Sequence, residues 1–460
     1  MTEGNLSRRG FIDRSTAAML AAGLPAWFAR QAVADDQEKK AAESKKKVGP
    51  NDEIAIALIG CGGQGMYDTK VAVKQKGVRV VAVCDVDAGR RDKAVEDLVK
   101  EVAKNGGQLK ADDVAKYNDF RELVGHKGLD AVIVGTVDHW HALPSIAAMK
   151  AGLDVYCEKP LALTIAEGQA MVKAARKYDR IFQTGNMQRS DSVYRLACEL
   201  VRNGRFGKIH TVEARIGTNP VGGPFKESEV PKGLDWDFWK GPTADVPYIK
   251  EKCHYEFRWW YEYSGGKLTD WGAHHNDIAQ WGLGKDDTGP VAITAVGADF
   301  PRGFDPVHSY NCHQNFAVTY EYADGTRLVT TSEGENGNRF LGEDGWIFVN
   351  RGRIEASDKK LLDAPLPENA TRLYNTGPTR RSNDQHMANF IEGIRTRRRP
   401  ICDVEIGHRS AIVCHIGAIA LRLGRPLRWD PKAEQFVGTD ADKANAMVAR
   451  EYRSPWKLEV

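Results

Sequence analysis

Gly60-Cys61-Gly62-Gly63-Gln64-Gly65 fits the spacing G-x-G-x-x-G. Glycines in that pattern permit a tight turn and bring backbone N–H groups up to a pyrophosphate at a helix N-terminus. Asp85 stands twenty residues after Gly65, the distance at which a carboxylate accepts the two hydroxyls of a ribose. A 2′-phosphate would be repelled there, which favours NAD, while Arg90 and Arg91 leave NADP open. Further along come Lys159, within Glu158-Lys159-Pro160, and the pair Asp270 and His274, four residues apart. If that segment is helical, the pair shares one face. An ammonium, a carboxylate and an imidazole are groups able to take and return a hydroxyl proton.

The elements around these residues read as a nucleotide fold. Residues 54–60 (IAIALIG) form a near-continuous apolar run, the pattern of a parallel strand buried on both faces, and lead directly into the glycine turn. A second run, residues 78–87 (VRVVAVCDVD), carries Asp85 near its end. Residues 129–136 (LDAVIVGT) and 153–160 (LDVYCEKP) read as further strands, with a glycine-closed helix at 141–152 between them. Glu158 and Lys159 then fall at the C-terminal edge of the sheet, where ligands of doubly wound folds bind.

With these pieces in order, the chain resembles the Gfo/Idh/MocA superfamily, which includes glucose–fructose oxidoreductase and inositol dehydrogenases. The resemblance runs from residue 54 to about 430. It rests on the glycine loop, on GTVDHWH at 135–141, on EKP at 158–160, and on GGKLTDWGAHHNDIAQW at 265–281. The last is similar to the family pattern G-G-x-x-x-D-x-G-x-H-x-x-D. In the 135–141 stretch Val137 departs from the family, which commonly has proline after the threonine. The resemblance implies a Rossmann domain with a doubly wound parallel sheet, followed by an α/β domain on an open, mostly antiparallel sheet. The expected division is 51–182 for nucleotide binding and 183–460 for substrate binding and oligomerisation, as a homodimer or homotetramer.

Residue types agree with that second domain. Residues 209–217, 292–300, 316–334 and 345–356 have strand composition, and Asp324-Gly325 is a hairpin turn. By matching positions, Lys159, Asp270 and His274 resemble the family's catalytic residues. His274 is expected to shuttle the proton, Asp270 to orient it and favour its protonated form, and Lys159 to bond the reacting oxygen. Asp270 also reads as an N-cap for the following helix. Gly60, Gly62, Gly63, Gln64, Gly65, Asp85, Thr136, His141, Glu158 and Lys159 are the expected cofactor contacts. Gln188, Arg189, Trp260, Tyr261 and Asp277 are candidates for substrate contact, the aromatic run at 254–266 reading equally as a stacking platform for sugar rings or as core. His275 reads as structural. His139, His141, His274 and His275 lack a recognised ligand spacing, so no metal is expected.

Sixty-five basic against 62 acidic residues give a net charge of +3, with no electrostatic case for nucleic acid. Arg8 and Arg9, an apolar stretch over 15–29 and the small residues of Ala32-Val33-Ala34 read as a twin-arginine signal peptide over 1–34, with a charged linker at 35–50. No later run is expected to span a bilayer, so the mature form needs no membrane anchor. Eight scattered cysteines without a CxxC pair read as free thiols.

Such an enzyme works in the periplasm, away from the NADH pool, and so must keep its cofactor and restore it in each turnover. The expectation is hydride transfer between a tightly bound NAD and a secondary hydroxyl of a sugar or cyclitol. The alternatives are a redox-neutral glycosidase working by oxidation, elimination, hydration and reduction, and a catalytically silent sugar-binding protein on the same fold.

Overall fold

A computed structural model describes residues 17–21, 23–29, 31–33, 53–374, 382–439 and 441–460. Two sheets organise them. β1 (Ile54–Ile59), β2 (Val78–Cys84), β3 (Ala115–Tyr117), β4 (Ala131–Val134), β5 (Asp154–Cys157) and β6 (Phe182–Thr184) pair in the order β3-β2-β1-β4-β5-β6, all parallel. Every residue of β1, β4 and β5 is buried, as their unbroken apolar runs require of strands covered on both faces. Helices α1 (Gly63–Ala72), α2 (Ala88–Lys104), α3 (Ala142–Lys150) and α4 (Ile165–Lys177) supply the covering layers. Strand order reverses between β1 and β4, which opens a crevice at their C-terminal ends.

The second sheet has nine strands in the order β13-β12-β11-β7-β10-β9-β8-β14-β15. These are β7 (Ile209–Arg215), β8 (Ala292–Gly297), β9 (Phe316–Glu321), β10 (Arg327–Thr331), β11 (Gly337–Gly342), β12 (Gly345–Val349), β13 (Ile354–Ala356), β14 (Leu427–Asp430) and β15 (Gln435–Val437). Its pairs are antiparallel except β7 with β10. Burial alternates along β9, so one face meets the core and the other stays open. The covered face packs on α5 (Ser192–Arg202), α7 (Gly272–Leu283) and α9 (Val404–Leu423), with the single turn α6 (Lys267–Asp270) just ahead of α7. At 20 residues α9 is long and apolar enough to cross a membrane, contrary to the sequence expectation, and most of it is buried, packed against α4, α7 and β8.

The division expected at 182/183 falls inside β6, and the first domain is not contiguous. Helix α8 (Ser382–Thr396) returns from the C-terminal half and puts Met387, Phe390 and Ile391 into one core with β1, β2 and Tyr156. Met19, Leu24, Phe28, Ala29, Ala32 and Val33 are buried in the core of the second domain, where the Arg195 guanidinium lies over the Phe28 ring and Trp27 Nε1 donates to the Leu362 carbonyl. The twin arginines, Ala34 and the linker at 35–50 lie outside the described residues. All eight cysteines are buried and free.

Candidate active site

The glycine turn is built for backbone contact with a ligand. Gly60 has φ +92°, and a Cβ there would stand 2.7 Å from the backbone of Thr136. Nothing lies within 4 Å of the Cβ direction of Gly63, so that side of the turn is open. Gly62 caps α1 without any side chain bonding to the helix's first N–H groups, leaving them to an anion. Gly65 does not line the cleft; it packs against the Gly60 carbonyl and Gly135, holding α1 tight to the sheet.

From this turn a cleft of about 470 Å³ runs past Asp85, Arg90, Asn118, Thr136, His254 and Tyr255. The Asp85 carboxylate accepts from the N–H groups of Cys61 (2.7 Å) and Asp87 (2.9 Å), so it fixes the turn as well as facing the cleft. Burial raises its pKa, against the pull of those two N–H groups. Open glycines, uncapped N–H groups and an acidic rim together fit a dinucleotide: Gly62 and Gly63 for the pyrophosphate, Asp85 for a ribose, Thr136 toward the far end.

That far end meets a second cavity of about 360 Å³, reached past Gln64, Gly135, Thr136, Phe257 and Arg258, which line both. Lys159, Asp270 and His274 all border it. Lys159 arrives from the end of β5 and Asp270 from the end of α6, and Nζ stands 2.5 Å from Oδ1. Arg258 Nε lies 3.7 Å from the other carboxylate oxygen. Burial alone would raise the Asp270 carboxyl, but Lys159 and Arg258 outweigh it and hold it below the usual range. Burial opposes the Lys159 charge, and Asp270 with Glu158 more than restores it.

This geometry corrects three expectations. Asp270 orients Lys159, not His274, and it does not cap α7, whose N-cap is Trp271 with no side-chain bond. His274 is not held near its ordinary pKa: burial, then the charges of Lys159 and Arg351, push it well down, so it stands neutral. Its Nδ1 is buried without a partner among the described residues. The ammonium is therefore the charged proton donor and the imidazole a neutral acceptor.

Of the remaining cofactor candidates, Gln64, Thr136 and Glu158 line the cavity, whereas His141 lines neither space. Its ring nitrogens lie 2.8 Å from the Pro160 carbonyl and 3.3 Å from that of Thr136, tying two walls together from behind. None of the five substrate candidates borders the cavity. Gln188 Nε2 donates to the His274 carbonyl and its Oε1 accepts from Arg351. Arg189 is clamped between Asp277 and Asp286, both oxygens of each accepting from it, so Arg189 and Asp277 satisfy each other in the core. Trp260 is fully buried, donating to the Glu251 carbonyl. Tyr261 faces a different cavity, beside Arg422. A buried polar side chain needs partners, and these five find theirs inside the protein.

The run at 254–266 is a 3-10 turn (His254–Trp259) continuing into an aromatic core, not a strand. Its contributions to the site are Phe257 and Arg258. Arg351, in the β12–β13 turn, stacks over Trp271 at 4.6 Å and borders the cavity, as do Tyr67, Asp138 and Asn383. Arg351, Tyr67 and Asn383 stand outside the motifs, whereas Asp138 lies within the 135–141 motif but is not among the expected site residues. His275 is structural, Nε2 lying 3.0 Å from Asn336 Oδ1, and His139 bonds the Trp239 carbonyl.

Comparisons agree with the two-domain reading. Residues 54–186 match the family model for the oxidoreductase family's NAD-binding Rossmann fold, and residues 222–458 match its C-terminal alpha/beta domain. The inositol 2-dehydrogenase of Salmonella typhimurium is 34% identical over 164 residues, 35% of this chain and 45% of that protein. The alpha-N-acetylgalactosaminidase of Shewanella oneidensis is 28% identical over 217 residues, 46% of each chain. Both matches thus span less than half the length of the curated relative. An aldose-aldose oxidoreductase from Caulobacter crescentus superposes with a TM-score of 0.59 at 22% identity, over 82% of this chain and 99% of that one.

Proposed function

Because the chain belongs to the Gfo/Idh/MocA oxidoreductase family, we propose that it moves a hydride between a secondary hydroxyl of a sugar or cyclitol and an NAD that it keeps bound. The observation carrying this reading is the meeting of Lys159, Asp270 and His274 in a cavity continuous with the dinucleotide cleft. The inositol dehydrogenase relative supports the substrate class. Asp85 supports NAD over NADP.

NAD, when bound, supplies the hydride acceptor and donor; the rest falls to the chain. Lys159 hydrogen-bonds the reacting oxygen and is held in place by Asp270. His274, neutral in its buried setting, accepts the hydroxyl proton and returns it. Phe257, Trp271 and Arg351 restrict water and substrate orientation around that oxygen.

The order Arg8-Arg9, apolar stretch, Ala32-Val33-Ala34 supports export by the twin-arginine route to the periplasm, which carries chains already folded. The open face of the second sheet, with Val296 at 69% exposure, supports pairing with a second copy.

A second reading is redox-neutral glycoside cleavage, favoured by the glycosidase relative. It uses the same groups: oxidation of a ring hydroxyl acidifies the neighbouring C–H, elimination expels the aglycone, and water addition and reduction complete the cycle. To test both, the protein is purified without nucleotide and its bound ligand released by acid and identified by mass. Absorbance of NADH and aglycone release are then followed with free sugars and aryl glycosides. Sugar-dependent NADH formation supports the dehydrogenase, and aglycone release without net NADH the glycosidase. A protein that neither holds nor binds NAD would leave only the silent sugar-binding reading.

A further inference from the structure

Asp85 follows β2 directly, and the chain then turns through Val86 and Asp87 into α2, whose N-cap is Asp87. Residues 233–235 of the second domain lie across that turn. Asp235 N–H donates to the Val86 carbonyl at 2.9 Å and Ala88 N–H to the Gly233 carbonyl at 2.9 Å, so Leu234 and Asp87 face one another as an antiparallel bridge. Further along the same segment, His254 Nε2 stands 3.1 Å from Asp87 Oδ2. His254 holds φ +52°, a left-handed conformation that persists in a residue other than glycine only where the surroundings fix it. Between these two ties the segment packs on itself. Leu234, Trp236, Trp239, Tyr248 and Phe257 share one core, against which Val86 of the turn also packs.

Beyond Asp85 the dinucleotide cleft is lined with rings. Phe120 and Trp140 come from the first domain and Phe238 from the segment, Trp140 and Phe238 being stacked at 5.4 Å with 17° between their planes. Flat apolar rings suit the π-face of a purine. His254 and Tyr255 stand on the same cleft from the second domain.

We propose that residues 233–258 form a clasp over the adenosine half of the cleft, latched by His254 on Asp87, and that this clasp holds NAD on the enzyme from one turnover to the next. The inference rests on the reading that NAD is retained and not exchanged as a soluble co-substrate. The glycine turn and Asp85 supply affinity, whereas a cover tied to the adjoining turn sets how fast a bound molecule leaves. A cycle that oxidises and reduces one bound cofactor needs long residence above all. Both ties end on the turn that follows Asp85, so opening the clasp parts the second domain from the residues beside the ribose site.

The test follows exchange, not turnover. NAD-loaded protein is chased with excess deuterium-labelled NAD, and the nucleotide still bound is identified by mass over time. His254→Gly removes the ring and keeps the backbone, since glycine takes a positive φ freely. It should release NAD about tenfold faster than the wild type, the order of one hydrogen bond to a charged group. A second variant, Asp87→Cys with Leu234→Cys, closes the clasp covalently. The two positions are a non-hydrogen-bonded antiparallel pair, whose Cα separation of about 4.5 Å suits a disulfide. The native cysteines are all buried. Loaded and then oxidised, this variant should exchange NAD several-fold more slowly than in its own reduced form, a comparison that cancels the loss of the Asp87 side chain and decides the matter where His254→Gly folds poorly. Equal exchange from the oxidised and reduced forms would overturn the clasp, as would wild-type release from a folded His254→Gly. A wild type that holds no NAD and takes none up would defeat the functional reading and the clasp with it; one that holds NAD while the variants exchange alike defeats the clasp only.

Discussion

Lys159 and Asp270, 111 positions apart in the chain, meet at 2.5 Å and join the end of the first sheet to the turn that opens the catalytic helix. This ion pair is one of the links between the two folds at the candidate site, beside others such as Arg176 with Asp403.

Lys159→Ala should keep its NAD, because the glycine turn and Asp85 are untouched, and lose kcat by about 10²–10⁴-fold, the range for a positioned proton-transfer group. Steady-state kinetics together with acid release of the nucleotide checks both halves. Wild-type turnover in this variant would remove the lysine from the mechanism.

The same pair gives the domain junction a defined pH window. Asp270 is held below its ordinary pKa, so its contribution is complete above the unfolded carboxylate value and is lost as pH falls through the folded one. Lys159 is raised, so its contribution is complete below the ordinary ammonium value and is lost only as pH climbs through its higher folded value. Melting temperature measured from about pH 3 to about pH 11 should show a plateau whose acid edge is reduced in Asp270→Asn. Parallel curves for both proteins would show that the pair does not couple to folding.

Arg189→Ala should act on folding. It leaves Asp277 buried and uncompensated, and breaking such a pair costs about 3–5 kcal/mol. Urea unfolding should report the loss, while KM in the surviving folded fraction stays unchanged because Arg189 does not border the cavity. A rise in KM at wild-type stability would return Arg189 to the substrate site.

Gly65→Ala should destabilise the nucleotide fold by about 1–3 kcal/mol, since its Cβ would stand 2.3 Å from the Gly60 carbonyl. Gly63→Ala meets nothing within 4 Å in the protein, so it should melt normally and bind NAD more weakly. Thermal melting paired with nucleotide titration separates the two. The reverse outcome would mean that the turn presents its other side to the ligand.

What could be read before folding was whatever repeats locally. β1, β2, β4 and β5 announce themselves as apolar runs, and the turn after β9 as Asp324-Gly325. β3 and β6, three residues each, are too short to carry a pattern, and β11 hides in the polar stretch GNRFLG. At the site, Lys159, Asp270 and His274 stand in motifs, whereas Arg258 and Arg351 reach the cavity only because aromatic packing and a distant hairpin bring them there. Asp277 and Arg189 sit near motif positions and look functional, but nothing in one dimension reveals that each is the other's partner. The pairing of Asp270 with Lys159 in place of His274 is likewise a matter of three-dimensional approach.

The return of α8 to the first sheet has a consequence for synthesis. The core that β1 and β2 share with α1 and α2 is completed by Met387, Phe390 and Ile391, residues made some three hundred positions after those strands. While ribosomes are still translating the middle of the message that core is incomplete, and it closes only once α8 has emerged.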